Sequence, residues 1–242
     1  MIRPAIYAYK FFWQAMDWIY PPACAGCGAA GEVWCADCRN SVVRIRPPVC
    51  ERCGYPQNSK SSECAGCGKH QPAYTRLRSY GAYQGALKEA IHALKYQSNL
   101  ALGFVFSQSL SEVIRDEGWK IDVISPIPLS PKRQKERGYN QAASVAHPLA
   151  GLLDIEYDAK SLTRIKNTES QVHLTADDRM KNMSGAFMLK ERAWTGKRVL
   201  IIDDVITTGS TLNECARIAR EGGAADVYGV SIARAILNDI SA

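Results

Sequence analysis

The feature of the sequence that most constrains the fold is a stretch near the C-terminus, residues 198–212, that reads RVLIIDDVITTGSTL. A short apolar run at residues 199–202 predicts a buried strand, and two adjacent carboxylates, Asp203 and Asp204, follow it directly. A polar loop comes next, and the residues after the loop have the pattern of a helix. Because ligands of open α/β sheets bind beyond the carboxyl ends of the strands, this stretch predicts a binding site in an α/β fold.

The loop that follows the two acids is suited to a phosphate group. It is called the hydroxyl loop below and consists of Thr207, Thr208, Gly209, Ser210 and Thr211. Small residues let backbone N–H groups turn inward at little steric cost, and the helix that follows presents a positive N-terminal end. Paired acids or a hydroxyl N-cap are commonly structural when they occur alone. Their immediate succession favours a site in which the acids lie beside the sugar of a 5′-phosphate.

Eight of the nine cysteines fall in four Cys-x-x-Cys pairs. These are Cys24, Cys27, Cys35, Cys38, Cys50, Cys53, Cys64 and Cys67. One pair directs two sulfurs to a common point, and two pairs complete the closed tetrahedral shell that structural Zn²⁺ prefers. We therefore predict two structural zinc ions held by consecutive pairs, although a cross-braced arrangement, with the first pair joined to the third, remains open. Metal also explains how a segment with so little aliphatic content folds.

Two further residues of metal-binding type are interpreted as structural. His70 follows the last cysteine pair by three residues and is expected to be a surface residue. Cys215 lies within a predicted helix and is expected to be a small core residue, because no base is placed beside it.

The N-terminal residues 1–22 are apolar and aromatic, and their spacing predicts an amphipathic helix that packs on the rest of the protein. The alternative is contact with a membrane surface. Arg3, Lys10 and Asp17 interrupt the apolar residues, so the segment predicts neither a secretion signal nor a membrane span. We therefore expect a cytoplasmic protein, since a reducing compartment also favours metal over disulfides.

Positive charge is concentrated in the middle of the chain. The net charge is +6, and residues 76–198 contain 19 Lys and Arg against 13 Asp and Glu. A second apolar run, residues 123–129, is followed by the cations Lys132, Arg133, Lys135 and Arg137. As they follow a strand end, they should face the same sheet edge as the two acids and bind a diphosphate. The alternative is that they form the exposed first turn of a helix that runs to residue 153.

The remaining patterns complete an α/β domain with a mainly parallel sheet and flanking helices. Strands are predicted near residues 76–83, 186–189 and 226–233, and helices near 85–96, 100–114 and 210–221. Residues 163–185 are polar and predict a long loop that closes over a ligand. Its candidate contacts are Arg164, Gln171, Arg179 and Asn182. The predicted division is an N-terminal helix (1–22), a double zinc-ribbon module (23–72) and the α/β domain (73–242).

Several of these motifs together resemble the ComF/GntX competence family over nearly the whole chain. They are the four cysteine pairs, PIPLSPKRQKERGYNQA at 126–142, LTRIKNTESQVHLTADDRMKNMSGAF at 162–187 and VLIIDDVITTGST at 199–211. The resemblance implies a type I phosphoribosyltransferase-like fold that binds phosphoribosyl diphosphate (PRPP) with Mg²⁺. It places the ribose hydroxyls on Asp203 and Asp204 and the 5′-phosphate on residues 207–211. It also implies a cytoplasmic protein that handles single-stranded DNA in natural transformation, with competence-machinery proteins as possible partners.

Two classes of function follow from the resemblance. In a phosphoribosyltransferase of nucleotide metabolism with a structural zinc module, Asp203 and Asp204 would stabilise a cation-like sugar, while Lys132 and Arg133 neutralise the departing diphosphate. Arg137 would assist in binding PRPP. In a binding module, the ribbons and basic residues would hold single-stranded DNA. Aromatic residues that could stack bases are Trp34, Tyr55, Tyr74 and Tyr139. No residue specifies a nucleobase.

Overall fold

The structure is a computed structural model that describes residues 22–58, 62–97, 99–166 and 185–236. Its strands are β1 (Arg76–Ala82), β2 (Val123–Pro126), β3 (Glu156–Tyr157), β4 (Leu162–Arg164), β5 (Phe187–Leu189), β6 (Arg198–Ile206) and β7 (Asp226–Arg234). Its helices are α1 (Ala36–Asn40), α2 (Ala65–His70), α3 (Gly85–Tyr96), α4 (Ala101–Glu117), α5 (Pro131–Arg137), α6 (Gln141–Leu153) and α7 (Ser210–Glu221). The predicted N-terminal helix falls almost entirely on residues 1–21, outside the described residues.

Five strands form one parallel sheet in the order β1-β7-β6-β2-β3. The chain passes from β2 to β3 on one side of β6 and from β6 to β7 on the other. A crevice therefore opens between the carboxyl ends of β6 and β2, which is where ligands of such sheets bind. This architecture confirms the predicted fold class.

The sheet is buried on both faces, as a parallel sheet requires. Alternate residues of β6 pack into two different cores, because successive side chains of a strand point to opposite faces. Leu200 and Ile202 pack with residues of α3, α4 and α6, whereas Val199 and Ile201 pack with residues of α7. The continuous apolar run in the sequence thus results from burial on both sides.

Helices α4 and α6 approach each other closely at Gly103. A Cβ atom at this position would lie 2.3 Å from the backbone oxygen of Ser144. Since real Cβ contacts are never this short, the two helices pack at this distance only because residue 103 has no side chain.

The cysteine-rich segment covers the outer edge of β1. The backbone N–H of Leu77 donates to the carbonyl of Arg52 at 2.7 Å, and that of Ala82 donates to the carbonyl of Val43 at 2.8 Å. These bonds satisfy groups that an edge strand would otherwise expose to other chains. The first ribbon also enters the core, because Trp34 is 2% exposed and its ring centroid lies 6.0 Å from that of Phe106.

The structure rules out one alternative and corrects one expectation. The alternative, a helix from the basic segment to residue 153, does not form, because α5 ends at Arg137 and its C-cap Gly138 lies in the left-handed region with φ +76°. Helix α6 begins after Asn140. The Asn140 side chain caps α6 by accepting hydrogen bonds from two backbone N–H groups. The predicted loop at 163–185 begins instead as strand, since residues 163 and 164 pair with β5. Three of its candidate contacts, Gln171, Arg179 and Asn182, lie outside the described residues.

The predicted strand at 186–189 is present as β5, antiparallel to β4. In the part of the chain that the structure describes, no helix combines the length and the hydropathy that crossing a membrane requires.

Candidate functional site

The eight paired cysteines form two compact groups. The first cysteine cluster consists of Cys24, Cys27, Cys35 and Cys38, and the second cysteine cluster consists of Cys50, Cys53, Cys64 and Cys67. The sulfur atoms within each cluster lie within 4.8 Å of one another. Consecutive pairs therefore combine, and the cross-braced arrangement does not form. A closed set of four sulfur ligands fits a structural Zn²⁺ ion.

Backbone N–H groups surround sulfur atoms in both clusters. Cys24 Sγ accepts hydrogen bonds from the N–H groups of Gly26 and Cys35, each at 3.4 Å. Cys50 Sγ accepts bonds from Cys53 at 3.5 Å and from Cys64 at 3.3 Å. Such bonds favour the thiolate, which is the form of cysteine that binds metal.

His70 and Cys215 behave as the sequence indicates. His70 is the last residue of α2 and is not a member of the second cysteine cluster. Cys215 is fully buried in α7, and burial raises the pKa of its thiol well above the usual value.

The two acids of β6 point to opposite faces of the sheet. Asp204 is 4% exposed, and its Oδ1 atom lies 3.0 Å from Nζ of Lys95 on α3, with which it forms an ion pair. Its Oδ2 atom is buried and has no hydrogen-bond partner among the described residues. Asp203 lies on the α7 face, and its Oδ1 atom accepts the backbone N–H of Asp204 at 2.9 Å. The two carboxylates therefore have different surroundings, and their shared role toward a ribose stays a prediction.

The carboxyl group of Asp203 has a raised pKa. Burial raises the pKa of Asp203 to about 7, and the negative charge of Asp204 acts in the same direction. The positive charges of Lys95 and Arg164 oppose that increase. Asp203 thus changes charge near neutral pH, which is a common property of residues in functional sites.

Replacing Asp203 by asparagine should stabilise the protein at alkaline pH more than at acidic pH. The pKa of Asp203 is about 7 in the folded chain against 3.8 for the unperturbed group, so the folded state binds more protons between these values. Stability is therefore lost as pH rises from about 4 to 7. We expect the gain from Asp203→Asn to be larger at pH 8 than at pH 5 by about 2–3 kcal/mol. Urea unfolding at both pH values measures it.

Asp122 provides the control for this experiment. Arg198 hydrogen-bonds its carboxylate and lowers its pKa, so Asp122→Asn should destabilise the protein instead. An equal effect of Asp203→Asn at pH 5 and pH 8 would contradict the assigned pKa.

The hydroxyl loop turns directly into α7. Gly209 has φ +80°, a left-handed conformation that glycine adopts at no steric cost, and α7 begins at Ser210. The hydroxyl oxygens of Thr208 and Ser210 are 2.7 Å apart and share a hydrogen bond. Thr207 and Thr208 are exposed. The loop therefore presents hydroxyl groups at the positive end of a twelve-residue helix, an arrangement that suits an anion.

The basic helix α5 follows β2 across the crevice from this loop. Its N-cap, Ser130, accepts the backbone N–H of Arg133 at 3.4 Å. Lys132 and Lys135 are exposed, and Arg133 is partly buried. Within the described part of the chain, these three cations form no ion pair.

The charges of Arg133 on α5 and of Asp203 both act on Arg164. Burial and the positive charge of Arg133 both lower the pKa of Arg164, while the negative charge of Asp203 acts to raise it. Arg133, Arg164 and Asp203 therefore share one neighbourhood at the carboxyl edge of the sheet. The sequence predicts this meeting of the two strand ends.

Arg137, at the end of α5, is directed toward α3. Its guanidinium lies over the ring of Tyr96, 5.0 Å from the centroid, and donates to the Tyr96 hydroxyl at 3.3 Å. Its part in binding PRPP stays a prediction.

A cavity of about 300 Å³ lies between the hydroxyl loop and the second cysteine cluster. Neither Asp203 nor Asp204 lines it. It contains a residue that the sequence analysis missed, Arg234, which is 4% exposed and donates to the Cys53 carbonyl at 2.6 Å. The only sequence signal for Arg234 is its position as a charged residue at the end of a buried strand.

The aromatic residues proposed for base stacking have different environments. Trp34 is 2% exposed and belongs to one core, so its burial argues against base stacking. Tyr74 is 4% exposed in the other core and also lines the cavity. Tyr139 is partly buried and donates its hydroxyl to the carbonyl of Leu94. Tyr55 is half-buried and lines the cavity.

Comparison with known protein families supports both parts of the architecture. Residues 15–69 match the double zinc ribbon domain, and residues 95–237 match the phosphoribosyl transferase domain. The second match alone covers more than half of the chain.

Curated relatives resemble the chain over most of its length. DNA utilization protein YhgH of Salmonella typhi is 34% identical over 198 residues, which are 80% of this chain and 86% of that protein. Competence protein F of Haemophilus influenzae is 32% identical over 83% of this chain and 90% of its own. Competence protein ComFC of Bacillus subtilis is 31% identical over 84% and 85%, respectively. The chain therefore belongs to the ComF family, in which a double zinc ribbon precedes a phosphoribosyl transferase domain.

Proposed function

We propose that this protein binds PRPP with Mg²⁺ in its phosphoribosyl transferase domain and handles single-stranded DNA in natural transformation, as a cytoplasmic competence protein. The observation that supports PRPP binding is the hydroxyl loop, which leads into the positive N-terminal end of α7. Asp203 and Arg133 lie at the same edge of the sheet. The free backbone N–H groups and the dipole of a helix N-terminus favour a bound phosphate.

The chemistry of each group assigns it to one part of PRPP. The 5′-phosphate accepts hydrogen bonds from the loop, where Thr208 and Ser210 hold their hydroxyls 2.7 Å apart. The diphosphate lies toward α5, where Arg133 and Lys132 neutralise its charge. Once deprotonated, Asp203 accepts a hydrogen bond from a ribose hydroxyl or contacts the Mg²⁺ ion. Mg²⁺, when bound, neutralises the diphosphate charge that these side chains leave uncompensated.

Calorimetric titration of the zinc-loaded protein with PRPP and Mg²⁺ tests the first part. We expect Thr208→Val to weaken PRPP binding at least about tenfold, because it removes a hydroxyl that bonds a charged phosphate. Thr195→Val is a matched control, since Thr195 is exposed and precedes the opposite end of β6. Unchanged affinity in the Thr208→Val protein, or equal losses in both variants, would contradict a phosphate site at the loop.

Two observations support the DNA-handling part. Relatives over at least 80% of this chain are named as competence and DNA utilization proteins. In addition, α5 presents the exposed cations Lys132 and Lys135, for which no carboxylate partner is found in the described residues. Unpaired exposed cations are available to the phosphates of a nucleic-acid backbone.

The salt dependence of DNA binding tests this part. Affinity for a single-stranded oligonucleotide should fall steeply as salt increases, because bound phosphates release counterions. Log affinity falls with log salt along a negative slope. Replacing Lys132 and Lys135 by glutamine should make this slope shallower by about 1.4, or 0.7 for each lost contact. The matched control replaces Lys160 and Lys190, two exposed lysines outside α5. A slope near zero in the wild-type protein, or equal changes in both double variants, would argue against the proposal.

A further inference from the structure

The cavity beside the hydroxyl loop has walls from two different parts of the chain. Thr208 and Ser210 of the loop lie on one side, and Cys67 and His70 lie on the other. The walls therefore combine the predicted phosphate site with the second cysteine cluster. Since a volume of about 300 Å³ is at the lower end of the range for small-molecule sites, it has room for a ring system.

Arg234 is a buried cation in the wall of this cavity. It is the last residue of β7, and its Nη1 atom is held by the carbonyl of Cys53 at 2.6 Å. Its Nε atom is buried and has no hydrogen-bond partner in the described part of the chain. A buried N–H group without a partner is costly, so an acceptor that reaches Arg234 from the cavity would gain a hydrogen bond.

Two aromatic side chains also line the cavity. The ring of Tyr55 lies beneath the Arg234 guanidinium, with 5.4 Å between the guanidinium carbon and the ring centroid, and Tyr74 forms part of the wall. Flat aromatic surfaces next to a fixed donor suit a planar ring that carries an oxygen or nitrogen acceptor at its edge. A nucleobase has both properties.

We propose that this cavity binds the base of a nucleotide whose 5′-phosphate lies on the hydroxyl loop, and that the second cysteine cluster forms one wall of the base site. The inference rests on the proposed function, since it takes the phosphate site as given. It adds the chemical class of a ligand and a binding role for the ribbon. The cavity and the basic helix α5 lie on opposite sides of β6, because β7 and β1 lie on one side and β2 on the other. The base and the diphosphate therefore take different sides of β6, whereas a nucleotide and PRPP share the 5′-phosphate site on the hydroxyl loop.

Three probes that share a 5′-phosphate test the proposal by calorimetry on the full zinc-loaded chain: ribose 5-phosphate, deoxyadenosine 5′-monophosphate and a short 5′-phosphorylated oligodeoxyadenylate. We expect at least one base-containing probe to bind about tenfold more tightly than ribose 5-phosphate, since stacking and a hydrogen bond are added. Arg234→Met should abolish this gain and leave the affinity for ribose 5-phosphate unchanged. If the mononucleotide gains, free nucleotides are the source of the base; if only the oligonucleotide gains, a DNA strand is.

A second variant keeps the test decisive if Arg234→Met impairs folding. Tyr55→Leu removes an aromatic wall but no charge, and it should also reduce the gain while zinc content stays unchanged. If ribose 5-phosphate binds but neither base-containing probe binds more tightly, the base site is refuted and the phosphate site stands. If ribose 5-phosphate itself does not bind, both proposals fail. Binding of inorganic phosphate that depends on Arg234 would identify the cavity as an anion site and overturn the inference.

Discussion

Replacing Cys50 by serine is expected to remove one of two bound zinc ions and to unfold the protein at moderate temperature. Cys50 is 0% exposed and belongs to a core that also contains Tyr74 and Leu77. Structural zinc contributes about 10–16 kcal/mol to small metal sites, whereas a whole domain is stable by about 5–15 kcal/mol. Loss of one ligand should therefore remove most of the stability around β1. Metal analysis and thermal unfolding followed by circular dichroism measure the two effects.

Cys215 is the matched control because it is equally buried but lies outside both cysteine clusters. Cys215→Ala should retain both metal ions and destabilise the protein by only about 1 kcal/mol, the cost of a small cavity. If the Cys50→Ser protein kept two zinc ions and its melting temperature, the second cluster would not be a structural zinc site.

Replacing Lys95 by methionine is expected to destabilise the protein by about 3 kcal/mol. Lys95 is the ion-pair partner of Asp204, and the two side chains are only 18% and 6% exposed. Methionine keeps the apolar stem of the lysine but leaves a buried carboxylate without its cation, and Asp204 Oδ2 already lacks a partner among the described residues. Chemical denaturation of the variant and the wild type measures the loss.

The surface pair of Arg44 and Glu112 is the control for this prediction. Its side chains are 31% and 60% exposed at a separation of 3.2 Å, so Glu112→Gln, which keeps Arg44 in place, should cost less than about 1 kcal/mol. Adding Asp204→Asn to Lys95→Met should restore most of the lost stability, because both charges are then absent. A double variant as unstable as Lys95→Met alone would show that packing, not the ion pair, accounts for the effect.

Features set by local spacing could be predicted from the sequence. The cysteine pairs fix their own partners within a few residues of chain, and the apolar run of β6 followed by acids and a hydroxyl loop is contiguous. The neighbourhood of Arg133 and Asp203 was also predictable, because both follow strands whose carboxyl ends meet at one edge of a parallel sheet.

Features set by packing between distant segments could not be predicted. The pairing of Asp204 with Lys95 depends on how α3 lies on the sheet, and nothing in either local sequence specifies that contact. The sequence shows Arg234 only as a charged residue at the end of a strand. Its contact with Cys53 depends on how the second ribbon packs on the sheet. The predicted division into a zinc-ribbon module and an α/β domain likewise gave no indication that cysteine residues pack in the same cores as the sheet.

The position of the cysteine-rich segment along β1 has a consequence for the fate of metal-depleted protein. While the segment is folded, backbone bonds such as that from Leu77 to Arg52 occupy the rim of the sheet. Once zinc is lost, that rim would be left with unpaired amides and carbonyls, which is a template for strand addition by another copy. Zinc starvation would then produce self-associated polymer rather than a dispersed, unfolded monomer, and the metal would serve as a safeguard against aggregation.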